Sequence, residues 1–477
     1  MHPITPERAW ALHGSAATRQ LEARAIAAAG PHVLMQRAGL ATARLALALA
    51  PHARQVWIAC GPGNNGGDGL EAAMHLQHWG KRPRVRWLGD EQRLAPDAAA
   101  SLARARAAGV LFTDAMPELQ SQDLAIDALL GLGNARAATG DLAACIAALN
   151  ASAAPVLAID LPTGLAADTG QAHGPAVRAR HTLSLLTLKP GLFTGMGRDL
   201  AGQVWFDALQ DGDTVPSDAT LAGPPPARAR AHASHKGSYG DVAVLGGAPG
   251  MRGAAVLAAS AALHAGAGRV YVAALDAGTV DLAADAPELM WRAPPELALA
   301  RLAVACGCGG GPQVAAWLPR VLAEAAQLVL DADALNAVAA DTGLQDALRW
   351  RAQPTVLTPH PLEAARLLGS STTAVQADRL AAARALAARF GAVVLLKGSG
   401  TVVTEPGRAP AINPTGNARL ATAGTGDVLA GFVAAHLAAG STAWEAACHA
   451  AYAHGALADT WPAGRALTAS ALARAAA

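Results

Sequence analysis

The sequence predicts two α/β domains, each built on a largely parallel sheet. Three observations carry this. Short apolar runs alternate with helical stretches twice along the 477 residues. The alternation stops between about 208 and 232, in LQDGDTVPSDATLAGPPPARARAHAS, which is rich in Pro, Asp, Gly and Ser. The two halves are not copies of each other, so the chain reads as a fusion and not a tandem repeat. Hydrophobic residues make up 52% and charged residues 15%, which excludes a disordered chain and leaves enough apolar surface for a core in each half.

In the first half, residues 7–29 and 33–49 read as helices. VWIAC (56–60) is a strand that ends in GPGNNGGDG and feeds a helix. VRWLG (85–89), DLAIDALL (123–130), PVLAID (155–160) and HTLSLLTL (181–188) repeat the strand-then-turn character. Runs apolar throughout, and not alternating, indicate strands buried on both faces of a parallel sheet. A second pattern starts at DVAVLGG (241–247) and continues through RVYVAAL, LAVACGCGGG, QLVLDADALN, TVLTPHP and AVVLLKGSGTVV to a long helix after ATAGTG. The boundaries predicted are 1–212 for the first domain, 213–231 for a linker and 232–477 for the second.

Composition narrows the function. Lys+Arg is 37 and Asp+Glu is 36, a net charge of +1, so no global field steers nucleic acid. The short basic run at 227–232 reads as a solvated linker face. Five scattered Cys describe no disulfide framework and point to a reducing cytosol. MHPITPERAWAL lacks the apolar run of a signal peptide, and no stretch is long enough to span a membrane. Lys is scarce, at four of the 37 basic residues, so a Lys inside a motif stands out.

Two constellations carry chemistry. In CGPGNNGGDG five Gly in ten positions lie between a strand and a helix, where backbone amides and the helix dipole favour an anion. A tight turn needs no ligand, but Asn64 and Asn65 offer more donors and acceptors than a turn requires. Asp68 is placed to cap the helix. Asp127 in DALLGLG, and Asp160 and Thr163 in AIDLPTG, stand at other strand ends, and the carboxyl ends of parallel strands form the ligand crevice. Oxygens from Asn65, Asp127 and Thr163 suit a hard cation, and the small number of carboxylates favours a monovalent one.

The second constellation centres on GTGD. Glycines ahead of a long apolar helix let amide groups converge on one spot, an anion hole for transferring phosphoryl oxygens. Asp427 faces that spot, placed to take a proton from a hydroxyl. Lys397 opens a Lys–Gly turn between two strands that can lie along a nucleotide phosphate. His360 and Glu363, and Asp331, Asp333 and Asn336, stand at neighbouring strand ends. Cys306 and Cys308 lack a second Cys pair or a nearby His, so no metal centre is predicted there.

On these motifs the chain resembles the bifunctional NAD(P)H-hydrate repair enzymes. The motifs are GPGNNGGDGL, DALLGLG and IDLPTG, then HKGSYG, GMRGAA, DADALN, TPHPLEAARLLG, KGSGTVV and GTGDVLAG, in order from residue 34 to the C-terminal helices. The resemblance implies a Rossmann-like epimerase domain followed by a ribokinase-like ADP-dependent dehydratase domain. It implies that Asn64, Asn65, Gly66, Gly67 and Asp68, with Gly131, Leu132 and Gly133, hold the hydrate and its phosphates. Asn65, Asp127 and Thr163 would coordinate K+, and Asp160 would contact substrate and is the catalytic residue chosen. In the second domain Ala254, Gly309 and His360 would contact the hydrate. Lys397, Gly398, Ser399, Gly400, Thr401 and Gly426 would bind ADP, which Mg2+ accompanies, and Asp427 would activate the substrate hydroxyl. Substrates would be NADH hydrate and NADPH hydrate. A cytoplasmic homo-oligomer without nucleic-acid or membrane partners is expected. Two departures from the family pattern are Gln36 for the usual Glu and CGCGGG for the usual Gly-Pro-Gly-Leu-Gly. The rival functions are a ribokinase-like small-molecule kinase, which leaves the first glycine-rich turn unexplained, and a non-enzymatic nucleotide- or RNA-binding scaffold, which leaves Asp127, Asp160 and Asp427 without a task.

Overall fold

The computed structural model describes residues 1–133, 137–209, 215–226, 229–276 and 286–475. It divides into two compact units, Met1–Thr5 with Trp10–Ala219 and Pro6–Ala9 with Thr220–Ala477. The predicted boundary at 212 and two residues of the basic run, 227 and 228, lie outside the described residues.

The first unit is an eight-stranded sheet. Its spatial order is His2–Pro3, Gln203–Asp207, His181–Leu185, Val156–Ile159, Leu124–Ala128, Gln55–Cys60, Arg82–Trp87 and Leu111–Phe112. All neighbours are parallel except the first pair. Alternate residues of Gln55–Cys60 enter two different cores. Val56, Ile58 and Cys60 pack with the helix Val33–Leu49, while Trp57 and Ala59 pack with the helix Gly140–Ala151. Side chains of a strand alternate faces, so an unbroken apolar run means helices on both sides. The chain order reverses between Gln55–Cys60 and Leu124–Ala128. That switch point opens a crevice beyond their carboxyl ends, just where GPGNNGGDG and LLGLG begin.

The helix predicted from residue 7 begins only at Ser15 and runs to Ala29. Residues Trp10–Leu12 are extended: Leu12 is fully buried, and the next amide, His13, donates to the Leu188 carbonyl at 2.8 Å. The helix start is fixed from afar, because Asp168 accepts from the Ser15 amide at 2.6 Å. Gly14, the helix N-cap, is the local signal for the same start, against a helix from residue 7.

The second unit orders its strands Met290–Trp291, Arg269–Ala274, Asp241–Gly246, Ala303–Cys306, Gln327–Leu330, Thr355–Leu357, Val393–Leu396, Val402–Thr404, Ala411–Ile412 and Ala219–Leu221. The first seven are mutually parallel, and Val402–Thr404 runs antiparallel to both its neighbours. Thr220 and Leu221, within the stretch read as linker, pair in parallel with Ala411 and Ile412. The helices Arg252–His264 and Thr425–Ala438 pack on one face, where Val242, Val244, Phe432 and Val433 are buried. Again the strand order reverses, between Asp241–Gly246 and Ala303–Cys306, and the carboxyl ends there carry GGAPG and CGCGGG.

Candidate active sites

The first crevice is a cavity of about 330 Å³. Asn64, Asn65, Asp68, Gly131, Leu132, Gly133 and Asp160 line it, as the motifs predict, together with Glu22 and Lys189. Gly66 and Gly67 do not face it. They let the helix Asn64–His78 seat against the sheet: a Cβ on Gly66 would lie 2.0 Å from the Gly61 carbonyl oxygen. The helix starts at Asn64 with Gly63 as its N-cap, so Asp68 sits more than a turn inside it and is no cap. Burial first, then the negative charges of Asp160, Glu22 and Glu71, push the Asp68 carboxyl well above the usual range.

Asp160 ends the strand Val156–Ile159 in a left-handed conformation, φ +66°, unusual for a side-chain-bearing residue at a strand end. Its carboxylate forms an ion pair with Lys189 and accepts from the Leu185 amide at 3.2 Å. Lys189 is fully buried, and its Nζ also donates to the carbonyls of Leu185 and Thr187 at 2.8 and 3.0 Å. A buried ammonium with that donor set holds one carboxylate in place. Glu22 reaches the same cavity from the helix Ser15–Ala29. Burial, then Asp160, raises its pKa, against the opposing pull of Lys189, a hydrogen bond with Asn64, and Arg19. One ion-paired carboxylate and two whose pKa values burial raises share a cavity, an arrangement that can divide base from acid.

Glu22 and Lys189 escaped the sequence reading. Glu22 lies on a helix outside any motif. Lys189 carried one legible signal, the scarcity of Lys.

Asp127 is fully buried behind the cavity floor. It accepts from the Thr163 hydroxyl at 2.7 Å, the Thr163 amide at 2.8 Å and the Leu129 amide at 3.1 Å. Burial nevertheless pushes its carboxyl up to about 6. Thr163 Oγ1 also accepts from the Leu130 amide at 3.0 Å. Asn65 points toward the next residue: a Cβ on Gly131 would lie 3.4 Å from Asn65 Oδ1 and 3.3 Å from Asp160 Oδ2. Asn65 Nδ2 is buried without a hydrogen-bond partner among the described residues. A hydroxyl, an amide oxygen and a carboxylate raised by burial are a donor set that a hard monovalent cation fits.

The second constellation converges at the start of the helix Thr425–Ala438. Gly424, its N-cap, has φ +87°. The side chain of Lys397 reaches the amide end of that helix: a Cβ on Gly426 would lie 3.5 Å from Lys397 Nζ. Lys397 Nζ donates to Asp331 Oδ1 at 2.7 Å and lies 4.0 Å from Glu363 Oε2. These carboxylates hold its pKa up against burial, which alone would lower it. Asp427 is half-buried, and its carboxyl is pushed up to about 7, by burial first and then by Asp331, with Cys308 and Lys397 pulling down. A carboxyl poised near neutrality is suited to proton transfer.

The rest of the predicted set surrounds this centre. The residues Lys397 to Thr401 form the turn between Val393–Leu396 and Val402–Thr404, and buried Arg379 grips it by donating to the Leu396 and Lys397 carbonyls at 3.2 Å each. A Cβ on Gly309 would lie 2.9 Å from that of Ala254, so those two predicted contacts adjoin. His360 Nδ1 accepts from the amides of Leu362 and Glu363, and its Nε2 lies 3.1 Å from Glu363 Oε1. Asp333 accepts from the Gly311 amide at 2.8 Å. Asn336 instead accepts from Arg366 at 2.6 Å, an exposed pairing. Cys308, set aside in the sequence, lies fully buried beside Asp331 and Asp427. Arg379 had no sequence signal, since its role depends on a carbonyl pair eighteen residues away.

Residues 31–191 match the family model described as YjeF-related protein N-terminus, and residues 242–476 match NAD(P)H-hydrate dehydratase. The chain is 36% identical to the bifunctional NAD(P)H-hydrate repair enzyme of Escherichia coli strain K12, over 89% of this chain and 84% of that one. It is 38% identical to that of Moorella thermoacetica, over 90% and 87%. Among solved structures, the ADP/ATP-dependent NAD(P)H-hydrate dehydratase of Bacillus subtilis is 30% identical, covering 51% of this chain and 90% of its own, with a TM-score of 0.44. On the length and level of these matches, the chain belongs to the family of bifunctional NAD(P)H-hydrate repair enzymes.

Proposed function

We propose that the first unit interconverts the R and S hydrates of NADH and NADPH, and that the second dehydrates the S form with ADP. The observation that carries this is the pair of separate carboxylate sites, one around Asp160 and Lys189 and one around Asp427 and Lys397. A hydrate carries a hydroxyl on C6, next to the ring nitrogen. In the first cavity Glu22 gives its proton to that hydroxyl, and C6–O cleavage releases water and leaves a C6–nitrogen iminium. Water adds to the opposite face and loses a proton to Asp160, and solvent returns the proton to Glu22. Asp68, whose carboxyl pKa burial raises well above the usual range, lines the same cavity and is a second candidate donor. Asn64, Asn65, Gly131, Leu132 and Gly133 bind the substrate at the cavity mouth. Asn65, Asp127 and Thr163 would hold K+, whose charge offsets the buried Asp127 and the phosphates of the substrate.

In the second site Asp427 removes the proton of the C6 hydroxyl. The oxygen attacks the terminal phosphorus of ADP, and AMP departs with its bond electrons. Phosphate then leaves C6 while solvent takes a proton from C5, which restores the double bond. Phosphate is a better leaving group than hydroxide. Lys397 and the amides at Gly426 stabilise charge on the transferring group. The residues Gly398 to Thr401 lie along the nucleotide, which arrives with Mg2+ as part of the substrate. Ala254, Gly309 and His360 contact the hydrate.

The test is direct. The full chain is incubated with mixed hydrate epimers and ADP, the absorbance of reduced nicotinamide is followed, and AMP is counted. Full conversion of both epimers with one AMP per hydrate is expected. Phosphorylation of a sugar alone would favour the kinase alternative, and no turnover with any nucleotide would favour the scaffold. We also propose a cytoplasmic homo-oligomer with no nucleic-acid partner, which light scattering and a nucleic-acid titration test. Among the described residues no helix is long and apolar enough to cross a membrane.

A further inference from the structure

The turn that carries Lys397 is held from beneath by one side chain. Arg379, the first residue of the helix Arg379–Phe390, is fully buried, and its Nη2 donates to the carbonyls of Leu396 and Lys397 at 3.2 Å each. Its Nη1 donates to Gln376 Oε1 at 2.7 Å. Burial lowers its pKa to about 10, so it stays charged at neutral pH. The backbone lies directly on the guanidinium. A Cβ on Gly398 would fall 2.8 Å from Nη1 and 2.9 Å from Nη2, and Gly398 takes φ +140°.

The two peptide units that Arg379 binds are not held alike. The unit between Leu396 and Lys397 is pinned on both sides, because the Lys397 amide donates to the Pro359 carbonyl at 2.9 Å. The unit between Lys397 and Gly398 is pinned at its carbonyl alone. Among the described residues nothing accepts from the Gly398 amide, and Gly398 is exposed. No described peptide bond is cis, and in a trans peptide the carbonyl and the N–H point in opposite directions. With the Lys397 carbonyl drawn inward by Arg379, the Gly398 N–H faces outward, onto the open side of the turn. Glycine lets this unit adopt its present orientation, whereas the reversed unit needs a negative φ at 398, which any residue adopts. Arg379 decides between the two.

We propose that Arg379 is a positioning residue for the nucleoside diphosphate: by holding the Lys397 carbonyl inward it aims the Gly398 N–H at the phosphates. This rests on the reading that Gly398 to Thr401 lie along ADP, and it adds a residue that does not touch the nucleotide. An outward N–H donates to a phosphate oxygen. In the reversed unit a carbonyl oxygen faces that phosphate and repels it. The contact is made to the nucleotide both before and during transfer, so its loss weakens binding more than turnover of the saturated enzyme. Lys397 Nζ keeps its own anchor on Asp331 at 2.7 Å.

The experiment uses the full chain and the variants Arg379→Met, Arg379→Lys and Gly398→Ala. The dissociation constant of ADP is measured by calorimetry, and KM for ADP and kcat are measured in dehydration of the S hydrate. A hydrogen bond to a charged group corresponds to about ten- to a hundredfold in affinity. Arg379→Met should raise the ADP dissociation constant and KM by that factor, with kcat at saturating ADP changed less than about threefold. Arg379→Lys keeps a cationic donor and should recover part of the loss. Gly398→Ala reaches the same end with Arg379 in place: its methyl group excludes φ +140°, turns the unit over and should weaken ADP by a similar factor. It empties no buried space, so it decides the matter if Arg379→Met is insoluble. Unchanged ADP affinity in Arg379→Met or in Gly398→Ala, whatever the kcat or the unfolding midpoint, overturns the proposal and leaves the dehydratase assignment intact. Equal losses in Arg379→Lys and Arg379→Met overturn it as well. A parent chain that binds no ADP overturns both.

Discussion

Replacing Asp427 by Asn should make the second domain more stable at pH 8 while abolishing dehydration. The free carboxyl titrates near 3.8, and burial and Asp331 push it up to about 7 in the folded chain. The folded state thus favours the protonated form. Below pH 3.8 the group is protonated folded or unfolded and costs nothing. Between 3.8 and about 7 the unfolded chain ionises first, so stability falls as pH rises, and the whole cost is present above 7. Three units correspond to about 4 kcal/mol. Asp427 is partly exposed, and solvent screening reduces this to about 1–3 kcal/mol. Asn is isosteric and uncharged, so it recovers that amount at pH 8 and almost none at pH 4. The assay is urea unfolding of the parent and Asp427→Asn chains at both pH values, with the two domain transitions fitted separately. Dehydration should fall by about 10²–10⁴ with epimerisation unchanged. A variant no more stable than the parent at pH 8, or a gain equal at both pH values, would refute the electrostatic account. Loss of both activities would refute the two-site division.

Three further outcomes follow from the first domain. Lys189→Met strands the Asp160 carboxylate in a buried place. It should cost about 3–5 kcal/mol of first-domain stability and abolish epimerisation, while pure S hydrate is still dehydrated; retained epimerisation would exclude Lys189 from the site. Glu22→Gln should slow epimerisation at least about a hundredfold and leave the unfolding midpoint nearly unchanged, and an unaffected rate measured by chiral separation of the hydrates would remove Glu22 from the mechanism. Gly66→Ala drives a methyl group to 2.0 Å from the Gly61 carbonyl, where backbone cannot yield, and should destabilise the first domain by about 3 kcal/mol or more. A chain with normal unfolding would show that the close helix–sheet contact is not needed.

The two α/β domains, their parallel strands, most lining residues of the first crevice and the polar residues gathered around Asp427 were legible because their causes are local. Apolar runs buried on both faces specify parallel strands, and glycine-rich turns with Asn or Asp mark strand ends. The sequence by itself therefore determined which residues stand at the carboxyl edges: Asn64, Asn65 and Asp160 in one half, Lys397 and Asp427 in the other. Partners across long sequence distance were decided by the tertiary structure alone. Lys189 finds Asp160, Lys397 finds Asp331, Arg379 grips the turn after Leu396, and Asp168 accepts from the first amide of a helix 153 residues earlier. Protonation belongs to the same class. Asp127 and Asp427 are both plain Asp in the sequence, and only burial and neighbouring charges raise them to about 6 and about 7. Desolvation and Coulomb interactions depend on what surrounds a group in space, and a linear pattern does not encode those neighbours.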